Sequence, residues 1–214
     1  NSTGSYNTAV GQDALNANTT ASNNTAVGYQ AGYSNTTGTN LTALGFQAAY
    51  STVSASEVTA LGYQSLYTNT GASNTGVGHI SLQYNSTGAY NTAMGSGALR
   101  NNTTASNNTA VGYQAGYSNT TGSSNALFGY RAGYSNTTGV SNTAIGPVNT
   151  LYWNTTGSYN TAIGDAALTS NTTASNNTAV GYQAGYSNTV GCENVFVGYK
   201  AGYTSNSSGP YGST

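Results

Sequence analysis

The chain has 214 residues, a formal net charge of -1 and only 3% charged side chains. That balance excludes the basic footprint of a nucleic-acid or anionic-membrane binder, and no apolar run approaches the roughly 20 residues of a membrane-spanning helix. The single cysteine, Cys192, excludes an internal disulfide and reads as a small tolerated loop residue.

Self-similarity organises everything else. A glycine closes each Asn-Thr-Ala-Val-Gly-like segment at residues 11, 28, 45, 62, 78, 95, 112, 129, 146, 164, 181 and 198. The step is 17, except 16 from Gly62 to Gly78 and 18 from Gly146 to Gly164. A fixed period of this kind marks a repeat architecture. Positions 1 to 17 are numbered below from Asn108, which opens one complete unit ending at Ser124. Asn1–Tyr6 matches Asn85–Tyr90, so the chain begins inside a unit, at position 12, and it ends inside another. There is no initiating Met, and neither end carries an obvious polar cap. Residues 1–214 are therefore expected to be one array within a longer fibre, or to have their ends covered by a neighbouring domain or subunit.

Positions 1 to 5 read as a short strand closed by a bend, because three β-compatible residues precede an invariant Gly. Position 4 is never polar; it runs from Val10 and Val27 through Leu44, Met94, Phe128 and Ile145 to Val197. It is the expected core column. Positions 6, 9 and 10 vary together. Where position 9 is Gly or Ala the flanks are rings, as in Tyr113/Gly116/Tyr117; where it is Leu the rings are usually lost, as in Ser96/Leu99/Arg100. The expected reason is volume exchange, with rings covering the space that Gly leaves. Positions 12 to 15 carry Asn-Thr-Thr-Gly or Asn-Thr-Thr-Ala, which is turn chemistry. The one-residue deletion at Asn69–Ser73 falls there, and the insertion is placed at Tyr152–Asn154, since turns absorb length changes. Asn7–Gly38, Asn91–Gly122 and Asn160–Gly191 are close copies, a sign of multi-unit duplication.

These features predict an all-β fold: a β-solenoid, or parallel β-roll, of about twelve 17-residue coils with two short strands and two turns each. The Asn of position 1 and the Thr of position 2 are expected to form hydrogen-bonded ladders. One apolar column per coil is a thin core, which favours a homo-oligomer of several bundled chains.

The run Asn-Thr-Ala-Val-Gly-Tyr-Gln-Ala-Gly-Tyr-Ser-Asn-Thr-Thr-Gly at residues 108–122 resembles the repeats of phage tail-fibre and bacterial tail-fibre-like surface proteins. It is more distantly similar to the head repeats of YadA-type trimeric autotransporter adhesins, which carry an Asn-Ser-x-Ala-Ile-Gly core in a shorter unit. The resemblance covers essentially the full chain. It implies a trimeric β-roll or β-prism fibre on a virion or cell surface, extracellular, acting as a shaft or attachment module, with a surface glycan or receptor as partner. Two alternatives stand beside it: a self-assembling surface filament, and an ice-binding solenoid using the position 2 threonines (Thr8, Thr25, Thr42, Thr59, Thr75, Thr92 and Thr109).

No enzyme chemistry is expected. The only His, His79, sits in a ring column, and the four acids are scattered without a paired base. No cofactor-binding motif or metal-ligand cluster is present in the sequence. Tyr152 and Trp153 are candidate glycan contacts, because a bulged turn would display them. Asn35, Asn102, Asn119, Asn136 and Asn171, together with Asn18 and Asn154, are sequons and would be glycosylation sites in a secreted eukaryotic protein; their other reading is turn chemistry.

Overall fold

A computed structural model describes residues 2–205. Its twelve strands run from β1 (Thr8–Val10) to β12 (Val195–Val197) and form one parallel sheet in strict chain order. Each strand pairs with the next one repeat on, so that equivalent positions face each other, as in Thr92↔Thr109 and Ala93↔Ala110. The fold is the expected β-solenoid, and coils are numbered here by their strand. One strand per coil is present among the described residues, not two. The rest of each coil is turn, and its backbone also bonds coil to coil: Leu99 N–H donates to Ala115 O at 3.0 Å, and Gln114 N–H donates to Ser96 O at 2.9 Å.

Three left-handed residues turn each coil. In the seventh coil they are Asn107 (φ 63°) at the preceding corner and Gln114 (φ 55°) and Gly116 (φ 61°) after the strand. Non-glycine residues reach this region only at a steric cost, so stacking on both neighbours holds them there. The invariant Gly of position 5 has a different reason. At Gly112 (φ 136°) an added Cβ would lie 2.4 Å from the carbonyl oxygen of Gly129 in the next coil. A side chain there would force the coils apart.

The strand alternation inverts one expectation. Position 3, Ala in most coils, points inward and is fully buried at Ala26, Ala60, Ala110 and Ala179. Positions 2 and 4 must then point outward, because neighbouring strand residues face opposite sides. Position 4 is therefore an outward apolar ladder, exposed at seven of its twelve rungs (48% at Leu44, 44% at Met94) and half-buried at Val27, Leu61, Val77, Val111 and Val180. The core is built instead from positions 3, 8 and 9, with Leu66, Leu82, Leu99, Leu151 and Leu168 fully buried at position 9.

Volume exchange operates inside this core, but large residues of positions 3 and 9 carry it, not the rings of positions 6 and 10. A Cβ added at Gly116 would lie 2.8 Å from Leu127 and 2.9 Å from Leu99. At Gly133 all three nearest atoms belong to Leu127, and at Gly202 they belong to Phe196. Leu127 and Phe196 are the two large residues of position 3, and each sits where position 9 is Gly in its own coil and the one before. The converse holds at Gly76, a small position 3 between Leu66 and Leu82.

Asparagine forms the other half of the interior. At position 12, Asn35 spans its own turn: Nδ2 donates to Gly38 O at 2.9 Å, and Gly38 N–H donates to Oδ1 at 3.0 Å. The same column bonds vertically, Asn119 to Asn102 and Asn136 to Asn119, each at 2.8 Å. At position 1, Asn125 N–H donates to Asn108 Oδ1 at 2.8 Å while Asn108 Nδ2 donates to Gly122 O at 2.9 Å. The expected Asn ladder is present, and a second stands beside it. The hydroxyl ladder lies at position 13, not position 2: Thr103 Oγ1 donates to Thr120 O and Thr120 Oγ1 to Thr137 O, each at 3.0 Å.

Length changes fall in two kinds of place. The deletion lies in the position 12–15 turn, where Asn69 Nδ2 reaches Gly71 O directly. The insertion is not at Tyr152–Asn154. It is a bulge between β8 (Ala126–Tyr130) and β9 (Thr143–Val148), where Tyr130 pairs with Val148 and the register shifts after Phe128. Pro147 lies inside it, at a site where a missing N–H is tolerated. Leu151 thereby takes position 9, fully buried.

Two substitutions test this packing. Gly133→Leu should destabilise the rod by roughly 3 kcal/mol through overpacking, and adding Leu127→Ala should recover about half of that loss in a denaturant melt. Asn108→Ala leaves Asn125 N–H without its side-chain acceptor and takes one of two amide donors from Gly122 O, which keeps Asn119 Nδ2; it should cost about 2 kcal/mol in the same assay.

Candidate functional site

Two surfaces leave the core with repeating chemistry. The first is the outward sheet face, where the position 2 threonines stand beside the position 4 aliphatics along the whole sheet. The Thr hydroxyls of this column make no protein hydrogen bond among the described residues; they face solvent, half-exposed or exposed. Ala126 and Val195 interrupt the column. The aliphatic column is uneven in length, since Met94 and Phe128 stand among valines.

The second surface is a pair of ring tracks at positions 6 and 10. Tyr29, Phe46, Tyr63 and His79 stack at centroid spacings of 5.2 Å. Tyr33, Tyr50 and Tyr67 stack at 5.1 Å on the parallel track. His79 is thus the last ring of a ladder, as its column implied. The tracks resume at Tyr113–Tyr130 and Tyr117–Tyr134–Tyr152, break, and resume at Tyr182–Tyr199 and Tyr186–Tyr203. Offset stacking at such distances adds to the burial of each ring.

The track also collects the positive charge, which the sequence reading missed. The chain has three Lys and Arg residues, and each lies over two tyrosines. Arg131 Cζ is 5.1 Å from the Tyr130 centroid and 5.4 Å from that of Tyr134. Lys200 Nζ is 5.5 Å from Tyr199 and 5.1 Å from Tyr203. Arg100 lies 5.2 Å over Tyr84 and 5.6 Å over Tyr117, and donates to both phenol oxygens. The signal was legible: every cation falls at position 7 or 10, beside a ring column. Where position 7 is Gln, the side chains bond in a row, Gln64 to Gln47 to Gln30 at 2.9 Å per step.

Tyr152 and Trp153 do stand together. Trp153 meets Tyr152 edge-on at 4.6 Å and 85°, and is 54% exposed. They are displayed by the ring track, however, and not by a bulged turn; the lower face of Tyr152 is covered by Tyr134 at 5.1 Å. The sequons have a different fate. Asn35, Asn102, Asn119, Asn136 and Asn171, with Asn18 and Asn154, are buried, and each amide nitrogen donates to its turn carbonyl. The folded coil leaves no space for a glycan on them. Cys192, half-buried, accepts from Ser175 N–H at 3.4 Å, the place a serine hydroxyl holds in other coils. Among the described residues no three His, Cys, Asp or Glu side chains gather into a metal-binding group, and no helix is long and apolar enough to cross a membrane.

The ring tracks carry a pH dependence. The Tyr50 and Tyr134 phenols are pushed above the ordinary 10.0, first by burial and then by neighbouring tyrosines, with Arg131 pulling Tyr134 partly back. A raised phenol stabilises the fold below its unfolded pKa, and that stability is lost as pH rises through the folded value. The melting temperature should therefore hold up to about pH 10 and fall above it. Tyr50→Phe with Tyr134→Phe should flatten that fall in thermal melts across the range.

Compared with known proteins, the chain matches no family model, no curated protein and no solved structure.

Proposed function

We propose that this solenoid is a structural segment of an extracellular fibre, a shaft or attachment module, in which three copies associate through the outward sheet face. The observation that supports the reading is the outward apolar ladder at position 4, unbroken by any polar residue in twelve coils. Soluble monomers rarely expose a contiguous apolar patch beyond a few hundred Å2. The strip is about 58 Å long by the rung spacing of parallel strands. At a width of about 10 Å, the spacing of packed sheets, it offers on the order of 600 Å2 per copy. That approaches the ~800 Å2 per partner of a standard stable interface. A copy of the same chain suits it best, because its ladder has the same rung spacing and no net charge to repel.

A second reading rests on the same face. Regularly spaced, outward Thr hydroxyls with no protein partner could order water as ice does. The uneven aliphatic column and the gaps at Ala126 and Val195 favour a protein partner, whose side chains can interdigitate with unequal lengths.

Light scattering on the purified chain decides between them. The expected mass is that of three chains, falling to one in the double variant Val77→Lys/Val111→Lys with an unchanged far-ultraviolet spectrum. A monomeric wild type that shows thermal hysteresis would replace the fibre reading with the ice-binding one. A monomer without hysteresis would remove both.

A further inference from the structure

Between their first and last rings, both tracks are missing together at two coils, the sixth and the tenth, and the two breaks are treated differently. Both coils belong to the duplicated blocks Asn91–Gly122 and Asn160–Gly191. These blocks differ at six positions, of which three lie on the track: Ser96 against Asp165, Gly97 against Ala166, and Arg100 against Thr169. In the first block the missing rings are replaced by the Arg100 guanidinium. Its Nε donates to Gln83 at 2.8 Å, and its forked nitrogens reach Tyr84 below and Tyr117 above.

The second block lacks the guanidinium and surrounds its place with three aromatic residues. The positions that correspond to Gln83, Tyr84 and Tyr117 are Tyr152, Trp153 and Tyr186. Tyr152 stacks on Tyr134 below, and Tyr186 stacks on Tyr203 above, each at 5.1 Å. Two rungs separate them, about 10 Å, and the residue of their column in between is Thr169, not a ring. The floor is Thr169, 9% exposed, whose hydroxyl turns inward onto Asn149 O and Ala166 O. Ala166, with only a methyl group, takes the position that Arg131 and Lys200 hold in their coils. The same coil adds Asp165, whose backbone carbonyl accepts from Gln183 N–H at 2.8 Å while its carboxylate oxygens bond to no described residue.

We propose that this slot, walled by Tyr152, Trp153 and Tyr186 and edged by Asp165, is a binding site for a guanidinium group supplied from outside the chain. The chemistry is that of its sister coil. A planar cation stacks between aromatic faces, as Arg100 does, and Asp165 supplies the countercharge that the Arg100 site does not need. Neutral planar groups share the stacking but not the attraction to the carboxylate. The site does not rest on the oligomeric reading above, since its residues lie outside the position 2 and position 4 columns.

Trp153 is the only tryptophan of the chain and stands in the wall of the slot, so its fluorescence reports occupancy. Methylguanidinium, titrated at constant ionic strength, should shift Trp153 emission saturably in the millimolar range, and the neutral isostere methylurea should not. Asp165→Asn should weaken the response roughly fivefold, the size of one exposed ion pair. Thr169→Arg places the sister coil's cation in the slot and should abolish the response while the circular dichroism spectrum is retained. A short neutral peptide with one arginine separates the sources: tighter binding than methylguanidinium assigns the site to a protein side chain, and equal binding to a free small molecule. A response that does not saturate, that methylurea reproduces, or that Asp165→Asn leaves unchanged overturns the proposal.

Discussion

Every column of this protein must coexist with itself one rung above and one rung below. That constraint follows from parallel, in-register stacking at a spacing of about 4.8 Å, and it explains the composition better than any local propensity does. Like charges in one column on adjacent coils would repel at that distance. The seven charged residues obey it: Asp13, Arg131 and Lys200 share position 7 but never neighbouring coils, and Glu57 and Glu193 share position 17 far apart. Asparagine satisfies the constraint in the opposite way. Its amide is both donor and acceptor, so a column of Asn is a continuous hydrogen-bonded chain, here at positions 1 and 12. Where the columns change to Leu41, Thr52 and Val58, the chain is cut, and the Asn24 Nδ2 and Thr52 Oγ1 atoms are left buried without a partner.

Much of the fold was legible because the constraint writes itself into the sequence. The period, the coil count, the turn chemistry of Asn35 and its column, and the parallel register all follow from self-similarity. The direction of the strand side chains did not. In a three-residue strand, alternation turns either the middle residue or both ends inward, and Ala at position 3 is a weaker signal than Val or Leu at position 4. The decisive clue was size: an interior shared with two Asn columns is narrow, so its strand residue is the small one. The insertion was misplaced for a related reason. Counting forward from Gly146 puts Leu151 out of column, whereas counting back from Asn154 puts it at position 9 among the other leucines. Pro147, which cannot donate to the ladder, was the mark of the bulge.

The core also shows how a repeat tolerates variation. Position 9 alternates between Leu and Gly, yet a given Leu is rarely compensated inside its own coil alone. Leu127 fills the space over Gly116 and Gly133 together, and Phe196 does so over Gly185 and Gly202. Packing is thus matched between coils, along the axis, and a unit cannot be exchanged without regard to its neighbours. This is nearest-neighbour coupling of the kind expected for solenoids, and it accounts for duplication in blocks of several units, which carries matched neighbours along.

A periodic surface offers the same chemistry at every rung and so has little means of choosing a position along the rod. Stacked rings make this sharper, because each aromatic face is covered by the next and only edges and hydroxyls remain for a ligand. Specificity therefore has to come from departures from the repeat. The sheet face, nearly uniform along the twelve coils, suits a partner of equal length and equal period. The ring tracks suit a small group only where a ring is missing. Arg100 and Asp165 stand at equivalent coils of two copied blocks, one break closed from within and one left open with the opposite charge. That difference, and not the repeat itself, is where this chain distinguishes one point on its surface from another.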